Sequence, residues 1–388
     1  MISRQVAESL KGGSMIRKMF EEGTRLKKIH GNENVYDFSI GNPDADPPAE
    51  TVQALKALVD APNIHKYMAN AGHDDVRAAI AEWEGKRAGV PLGMEHVIMT
   101  VGAAGGLNAA LKAILDPGDE VLVIAPYFVE YFFYIRNHGG VPVALKSDAD
   151  TFQPRAEVIE AAITPRTKAI ILNSPNNPTG VVYSGETLKE IAAVLEAAGK
   201  RLGTDIYVLA DEPYKQLLYE GTVPPTLNYF RNGLVVNSFS KSLSLPGERI
   251  GYVAVHPEAA DGQMLRAALA FTNRTLGYVN APSLFQKAVA ASLHAGIDVE
   301  EYKARRDMLY NHITSLGMEC IRPAGAFYLF PKAPGGDDAG FVARAAEQRI
   351  LIVPGSGFGW SGHVRIAYCV DRGTIERSFP AWEQLLKG

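Results

Sequence analysis

One stretch of the chain places a lysine where an amine can do covalent chemistry. In Val235-Val236-Asn237-Ser238-Phe239-Ser240-Lys241-Ser242-Leu243-Ser244-Leu245-Pro246-Gly247-Glu248-Arg249, an apolar run enters a cluster of small hydroxylated residues around Lys241. A Pro-Gly turn and an arginine follow. A protonated lysine is a poor nucleophile. Desolvation or a nearby cation lowers its pKa, and the neutral amine then condenses with an aldehyde. Ser238 and Arg249 supply a hydroxyl donor and a planar guanidinium, a pair suited to a phosphate. Taken alone, the stretch also reads as a surface loop with a lysine in it. Other residues have to decide.

Asp211, in Leu209-Ala210-Asp211-Glu212-Pro213-Tyr214, stands where an apolar run ends. A buried carboxylate must find a partner or lose its charge. A pyridinium N–H is such a partner, and the ion pair lets the ring draw electrons from a carbanion. Tyr214, three residues on, is placed to donate to a ring oxygen beside the aldehyde. A lysine for an aldehyde, a carboxylate for a pyridinium and donors for a phosphate together match pyridoxal phosphate (PLP). The other reading of Asp211 is a helix N-cap, since Asp-Glu-Pro is a common helix start.

Further candidates surround this set. Asn173-Ser174-Pro175-Asn176-Asn177-Pro178-Thr179-Gly180 is a rigid polar loop in which Asn177 offers an amide to a phenolate and a carboxylate. Gly102-Ala103-Ala104 leads a helix, whose free N–H groups bind phosphate. Phe128, in Pro126-Tyr127-Phe128, is suited to stack on a cofactor ring; core packing is its alternative. Arg365 interrupts the apolar Val364-Arg365-Ile366, and buried arginine is rare unless paired. Either a carboxylate ligand or an internal salt bridge accounts for it. Tyr67 precedes a glycine-containing loop. The nine histidines and the two cysteines, Cys320 and Cys369, show no metal-ligand spacing, so no metal is expected.

These residues need a scaffold that brings them together. Apolar, unalternating runs at His96–Thr100, Glu120–Ala125, Val141–Lys146, Lys168–Asn173, Ile206–Ala210, Leu234–Ser238 and Gly251–His256 read as strands buried on both faces. Helical segments lie between them, including Asp74–Ala88, Glu130–Asn137 and Gly185–Ala198. The alternation predicts an α/β fold: a mostly parallel, doubly wound, seven-stranded sheet. Ligands of such sheets bind beyond the carboxyl ends of the strands, where most of the candidates fall. The tail alternates less regularly, with helices at Ala281–His294, Val299–Leu316 and Gly373–Leu386 and strands at Phe327–Pro331, Leu351–Pro354 and Val364–Cys369. It reads as a smaller α+β domain. The expected division is an N-terminal segment 1–45 packed on the small domain, a large PLP-binding domain 46–275, and a small domain 276–388. Residues 2–29 read as amphipathic helices broken near Gly12-Gly13, and 35–40 as a short strand.

Composition narrows the function classes. With 388 residues, 47% hydrophobic and 21% charged, the chain is ordinary globular protein of two-domain size. Its formal net charge of −4 offers no footprint for nucleic acid or anionic membrane. No apolar stretch approaches the roughly 20 residues of a membrane span. The first residues lack the apolar core of a secretory signal, and acidic residues argue against a transit peptide. A reduced, cytoplasmic protein is expected.

In order and spacing these motifs resemble the class I/II aminotransferase family of fold-type-I PLP enzymes. The resemblance runs from Ile40-Gly41-Asn42-Pro43-Asp44 through Tyr67 with Gly72, Gly102-Ala103-Ala104, Pro126-Tyr127-Phe128, Asn177-Pro178-Thr179-Gly180, Asp211-Glu212-Pro213-Tyr214, Ser238-Phe239-Ser240-Lys241 and Arg249-Ile250-Gly251 to Pro354-Gly355-Ser356-Gly357-Phe358-Gly359 and Val364-Arg365-Ile366. It implies that Lys241 forms the Schiff base with PLP, Asp211 pairs the pyridine nitrogen, Tyr214 and Asn177 bond the ring oxygen, and Phe128 stacks on the ring. Ser238, Arg249 and the backbone N–H groups of Ala103 and Ala104 would hold the phosphate. Arg365, with Asn177 and the backbone near Gly41, would bind the substrate α-carboxylate. Tyr67 would reach the phosphate of a neighbouring subunit, which implies a homodimer.

The implied activity is ping-pong transfer of an amino group from an L-amino acid to a 2-oxo acid. A C–S β-lyase on the same fold shares the carbanion and is the alternative. A PLP-sensing transcription regulator would need an added DNA-binding domain, and no basic helix-turn-helix precedes the motifs. The chain departs from the family pattern at Asn42, where glutamate is frequent, and at Ala103 and Ala104, which carry no hydroxyl. Arg274 is the nearest candidate for a second arginine that would favour a dicarboxylate substrate.

Overall fold

The structure is a computed structural model describing residues 2–11 and 15–387. Its centre is a seven-stranded sheet in the order Val97–Thr100, Gly251–Val255, Gly233–Ser238, Tyr207–Asp211, Thr167–Asn173, Glu120–Ala125, Val141–Lys146. Gly251–Val255 runs antiparallel to both neighbours, and every other pair is parallel. The five strands from Val97–Thr100, Gly251–Val255 and Gly233–Ser238 to Tyr207–Asp211 and Glu120–Ala125 are buried at every position. The edge strand Val141–Lys146 turns side chains to solvent, and Lys168 on Thr167–Asn173 is half-buried.

The strands read as continuous apolar runs because both faces carry helices. Successive side chains of a strand point to opposite faces. Leu234 and Val236 enter one core with Leu107, Tyr131 and Leu269, while Val235 enters another with Val76, Ile80 and Tyr252. Burying each such aliphatic side chain is worth roughly 1.5–3 kcal/mol. The helices Gly102–Ile114 and Gly262–Thr275 pack together on the first face. Asp74–Ala88 lies over the second, and Gly185–Leu202 contributes to a further core beside it.

The C-terminal part forms a small antiparallel sheet of Val353–Pro354, Val364–Ala367 and Tyr328–Leu329. The helices Val299–Ser315, Asp338–Glu347 and Arg372–Lys387 surround it, around Phe327, Tyr368 and Trp382. The N-terminal segment joins this part: Tyr36–Asp37 pairs in parallel with Ile350–Leu351. Leu26, Val35 and Leu351 form a cluster of their own. The strand expected over 35–40 shrinks to those two residues: the Phe38 carbonyl accepts from the Ala367 N–H, and those of Ser39 and Gly41 accept from the side chains of Arg365 and Lys241. N-terminal helices run Arg4–Lys11 and Met15–His30; the break expected at Gly12-Gly13 lies outside the described residues.

The helix Ser283–Ala291, expected in the small domain, packs instead on Ala49–Leu58 and Asp74–Ala88. Ala281, Val289 and Leu293 share a core with Val97, Val235 and Tyr252. Its apolar face finds the large sheet's covering helices, so we place the change of domain nearer residue 295 than 276. Among the described residues no helix is long and apolar enough to cross a membrane, and no cluster of potential metal ligands occurs. Cys320 and Cys369 are both free thiols.

Candidate active site

A cleft of about 280 Å³ opens at the carboxyl edge of the sheet. Gly41, Ala103, Ala104, Phe128, Asn177, Asp211, Tyr214, Ser238, Lys241, Arg249 and Arg365 all line it. Only Tyr67 and Arg274, among the residues singled out in the sequence, stand outside; Tyr67 is 95% exposed and Arg274 is on the surface beside Phe271. Parallel pairing explains the convergence. The strands that end at Thr100, Ala125, Asn173, Asp211 and Ser238 share one direction, so the residues just past them meet at one edge.

Lys241 sits on a single helical turn, Phe239–Ser242, directly after its strand. Its Nζ donates to the Gly41 carbonyl at 2.8 Å and lies 5.4 Å from the centre of the Phe327 ring. Burial lowers its pKa to about 8, and the cations Arg365 and Arg249 push the same way. Roughly a fifth of the amine is then neutral at about pH 7.4, against about one part in a thousand for an ordinary lysine.

Asp211 closes the strand Tyr207–Asp211, and turns rather than a helix follow it, so the N-cap reading does not hold. Its Oδ2 accepts from the Tyr131 hydroxyl at 2.5 Å. Its Oδ1 is buried without a partner. Burial pushes the carboxyl up to about 7; the Glu212 charge adds to this and the Tyr131 hydrogen bond opposes it. Asn173 Nδ2 donates to the Asp211 carbonyl at 2.8 Å, and Asn173 Oδ1 accepts from the Asn177 N–H at 2.7 Å. One asparagine thus ties the Asn177 loop to the strand that carries Asp211. The Tyr214 hydroxyl lies 2.9 Å from that of Tyr328.

Arg365 is 2% exposed. Its Nη1 donates to Asn177 Oδ1 at 3.2 Å and its Nη2 to the Ser39 carbonyl at 2.6 Å. The guanidinium lies between the rings of Tyr328 and Phe358, each centred 4.8 Å away. Its Nε is buried without a partner, and no carboxylate among the described residues is within ion-pair range. The internal salt bridge is therefore not what this arginine makes, and the buried cation is left to attract an anion from outside.

The phosphate-sized end of the cleft is built on the helix Gly102–Ile114, which has no acidic residue in its first turn. Gly102 has φ +71°, and a Cβ there would lie 2.8 Å from Arg249 Nη2. Arg249 is itself held by a bond from Nη1 to the Pro246 carbonyl at 2.7 Å. Ser238 and Ser240 face the same end. Phe128 stands edge-on to Tyr131, with centroids 5.6 Å apart at 83°.

Sequence reasoning missed Tyr131, Tyr134, Ser240 and Tyr328. Ser240 lay inside the stretch around Lys241 and carried a signal. The tyrosines carried none, since their types and spacing match core positions.

The model of the family described as aminotransferase class I and II matches residues 33–379. The chain belongs to that family. It is a PLP-dependent aminotransferase, and solved structures agree across its whole length. An amino transferase from Eubacterium rectale is 43% identical, covering 100% of this chain and 99% of that one with a TM-score of 0.96. The aspartate aminotransferase of Thermus thermophilus with maleate is 31% identical over 100% of both chains, TM-score 0.88. A probable aspartate/prephenate aminotransferase of Thermus aquaticus is 35% identical over 90% of this chain and 91% of its own.

PLP fits the residues present in this aminotransferase. The partnerless Asp211 oxygen is where a pyridinium N–H would bond, and the bare Gly102 beside Arg249 leaves room for a phosphate. A desolvated lysine stands between these two ends.

Proposed function

We propose that this aminotransferase moves the amino group of an L-amino acid to a 2-oxo acid in two half-reactions at one site. The observation that carries the proposal is Arg365, a buried cation with no protein carboxylate, in the same cleft as Lys241. When bound, PLP supplies an aldehyde for an amine and a ring that accepts electrons from the substrate Cα.

The chain supplies the rest. Arg365 and Asn177 bind and orient the substrate α-carboxylate, and orientation of this kind contributes several kcal/mol to a rate. Lys241 is the amine that bonds PLP. Once displaced, its Nζ takes the proton from the substrate Cα and returns one as the half-reaction closes, a role that suits a pKa of about 8. Asp211 keeps the ring nitrogen protonated. Tyr214 and Asn177 donate to the ring oxygen, and Phe128 covers the ring face. Ser238, Arg249 and the N–H groups of Ala103 and Ala104 hold the phosphate. Tyr67, exposed on one chain, reaches the phosphate of a neighbouring subunit in a homodimer.

Relatives are named for aspartate, prephenate, aromatic amino acids, N-acetyl-LL-diaminopimelate and alanine. Their shared element is a carboxylate beside the amino- or oxo-bearing carbon, which is the part Arg365 addresses. The test is a screen of amino donors against pyruvate and 2-oxoglutarate, with double-reciprocal plots at several acceptor concentrations. Parallel lines and product formation only in the presence of a 2-oxo acid are expected. Pyruvate and ammonia released from cysteine or cystathionine without any acceptor would overturn the reading in favour of a lyase.

A further inference from the structure

A second set of buried charges lies in the large domain, on the side of the sheet away from the cleft. Glu84, on the helix Asp74–Ala88, meets both Lys215 Nζ and the Tyr252 hydroxyl. Arg87 donates from Nη2 to Glu212 at 2.7 Å and has its Nε 3.4 Å from Glu84. Lys215 Nζ lies 3.6 Å from Glu212 and 3.1 Å from the Tyr252 oxygen. The side chains of Glu84, Glu212 and Lys215 are 3% exposed or less. Two carboxylates and two cations balance. A buried ionic cluster is a poor way to stabilise a fold, because apolar residues of similar volume generally do as well. Its position points to another use.

The cluster's neighbours along the chain are the cofactor residues. Glu212 follows Asp211, and Asn237 precedes Ser238. Strand alternation sends Leu209 and Val236 to the cleft-side core and Ala210 and Val235 to the other. Continued one step, it turns Asp211 and Ser238 to the cleft and Glu212 and Asn237 to the charged cluster. Asn237 Nδ2 donates to the Tyr252 hydroxyl at 2.8 Å, and Asn237 Oδ1 accepts from the Ser238 N–H at 2.7 Å. Glu212 also accepts from Thr226 Oγ1 at 2.5 Å.

We propose that Glu84, Arg87, Glu212, Lys215 and Tyr252 are positioning residues that hold Asp211 and Ser238 in register across two neighbouring strands. The partner of the pyridine nitrogen and a donor to the phosphate are thereby set at the separation one rigid PLP molecule requires. None of the five lines the cleft. The proposal rests on PLP binding there, and wild-type binding in the same titration is the control that separates failure of the site from failure of the cluster.

The test uses Tyr252→Phe and the charge-balanced, similar-volume double variant Glu84→Met/Lys215→Met. Each is stripped of PLP and titrated with it, reading the apparent dissociation constant and the visible circular dichroism of bound PLP. Binding about tenfold weaker with an altered dichroic band is expected, the size of effect that loss of an outer partner has at metal sites. A cluster that merely supports the fold would lower the melting temperature and leave both PLP readouts at wild-type values. That result overturns the proposal. Should the double variant not fold, Tyr252→Phe decides alone, since it removes one hydroxyl and little volume.

Discussion

At the scale of single residues, burial shifts two groups of the cleft toward their neutral forms, Lys241 down to about 8 and Asp211 up to about 7. Lys241 is the proposed point of covalent attachment. Lys241→Ala is expected to abolish covalent attachment of PLP after borohydride reduction, read by mass spectrometry; label found on another lysine would refute the assignment. Asp211 makes a prediction about pH. Its folded pKa of about 7 is raised above the ordinary 3.8. A raised carboxyl contributes stability that is complete below pH 4 and is lost as pH rises toward 7. At roughly 1.4 kcal/mol per unit, the loss is about 4 kcal/mol. Lys241 stays mostly protonated over that window and adds little slope. Protein freed of PLP should therefore be less stable at pH 7 than at pH 4.5 by about 3 kcal/mol of this contribution, and Asp211→Asn should flatten that part of the profile. Equilibrium denaturation across this range checks it; an unchanged slope in the variant would place the titration elsewhere.

At the scale of elements, the site depends on where strands stop and helices start. Gly102 begins its helix with φ +71° and no room for a Cβ beside Arg249. Gly102→Ala is expected to weaken PLP binding by at least about tenfold, because left-handed strain of roughly 1–2 kcal/mol adds to displacement of the guanidinium. Fluorescence titration with PLP measures it, and wild-type affinity would show that the loop adapts. The strand ends were legible in sequence because each buried strand reads as an apolar run cut off by a polar residue, and Asp74–Ala88 and Glu130–Asn137 were found to the residue. Shorter or less regular helices were not. Ala156–Ala162 has seven residues, and Gly262–Thr275 opens with a glycine after Asp261, which has φ +50°. Asp338–Glu347 had a readable signal, since Asp337 caps it by accepting from the Gly340 N–H at 2.9 Å; the Pro-Gly-Gly before it hid the start. Tyr328 was out of reach for another reason. It meets Tyr214 from 114 residues away, and no local pattern encodes that meeting.

At the scale of the whole molecule, the exposed Tyr67 and the cleft it stands outside make a prediction about assembly. In the proposed homodimer each site would take Tyr67 from one chain and Lys241 from the other. Lys241→Ala alone has no competent site, and Tyr67→Ala is expected to lose most PLP affinity. Mixed after denaturation and refolding, the two should regain activity, because half of randomly paired dimers carry one intact site, or about a quarter of all sites. No recovery above the sum of the separate variants would place Tyr67 outside the partner's site.

The pairing of Tyr36–Asp37 with Ile350–Leu351 bears on how the molecule is made. Tyr36–Asp37 leaves the ribosome more than 300 residues ahead of its partner strand. At roughly 5–20 residues per second, this leaves the segment waiting on the order of tens of seconds during synthesis. Through that interval the large sheet can form, yet Gly41 and Ser39 have no docked frame from which to meet Lys241 and Arg365. The residues that finish the cleft are thus translated long before the strand that docks them, so the cleft is completed only once Ile350–Leu351 has emerged.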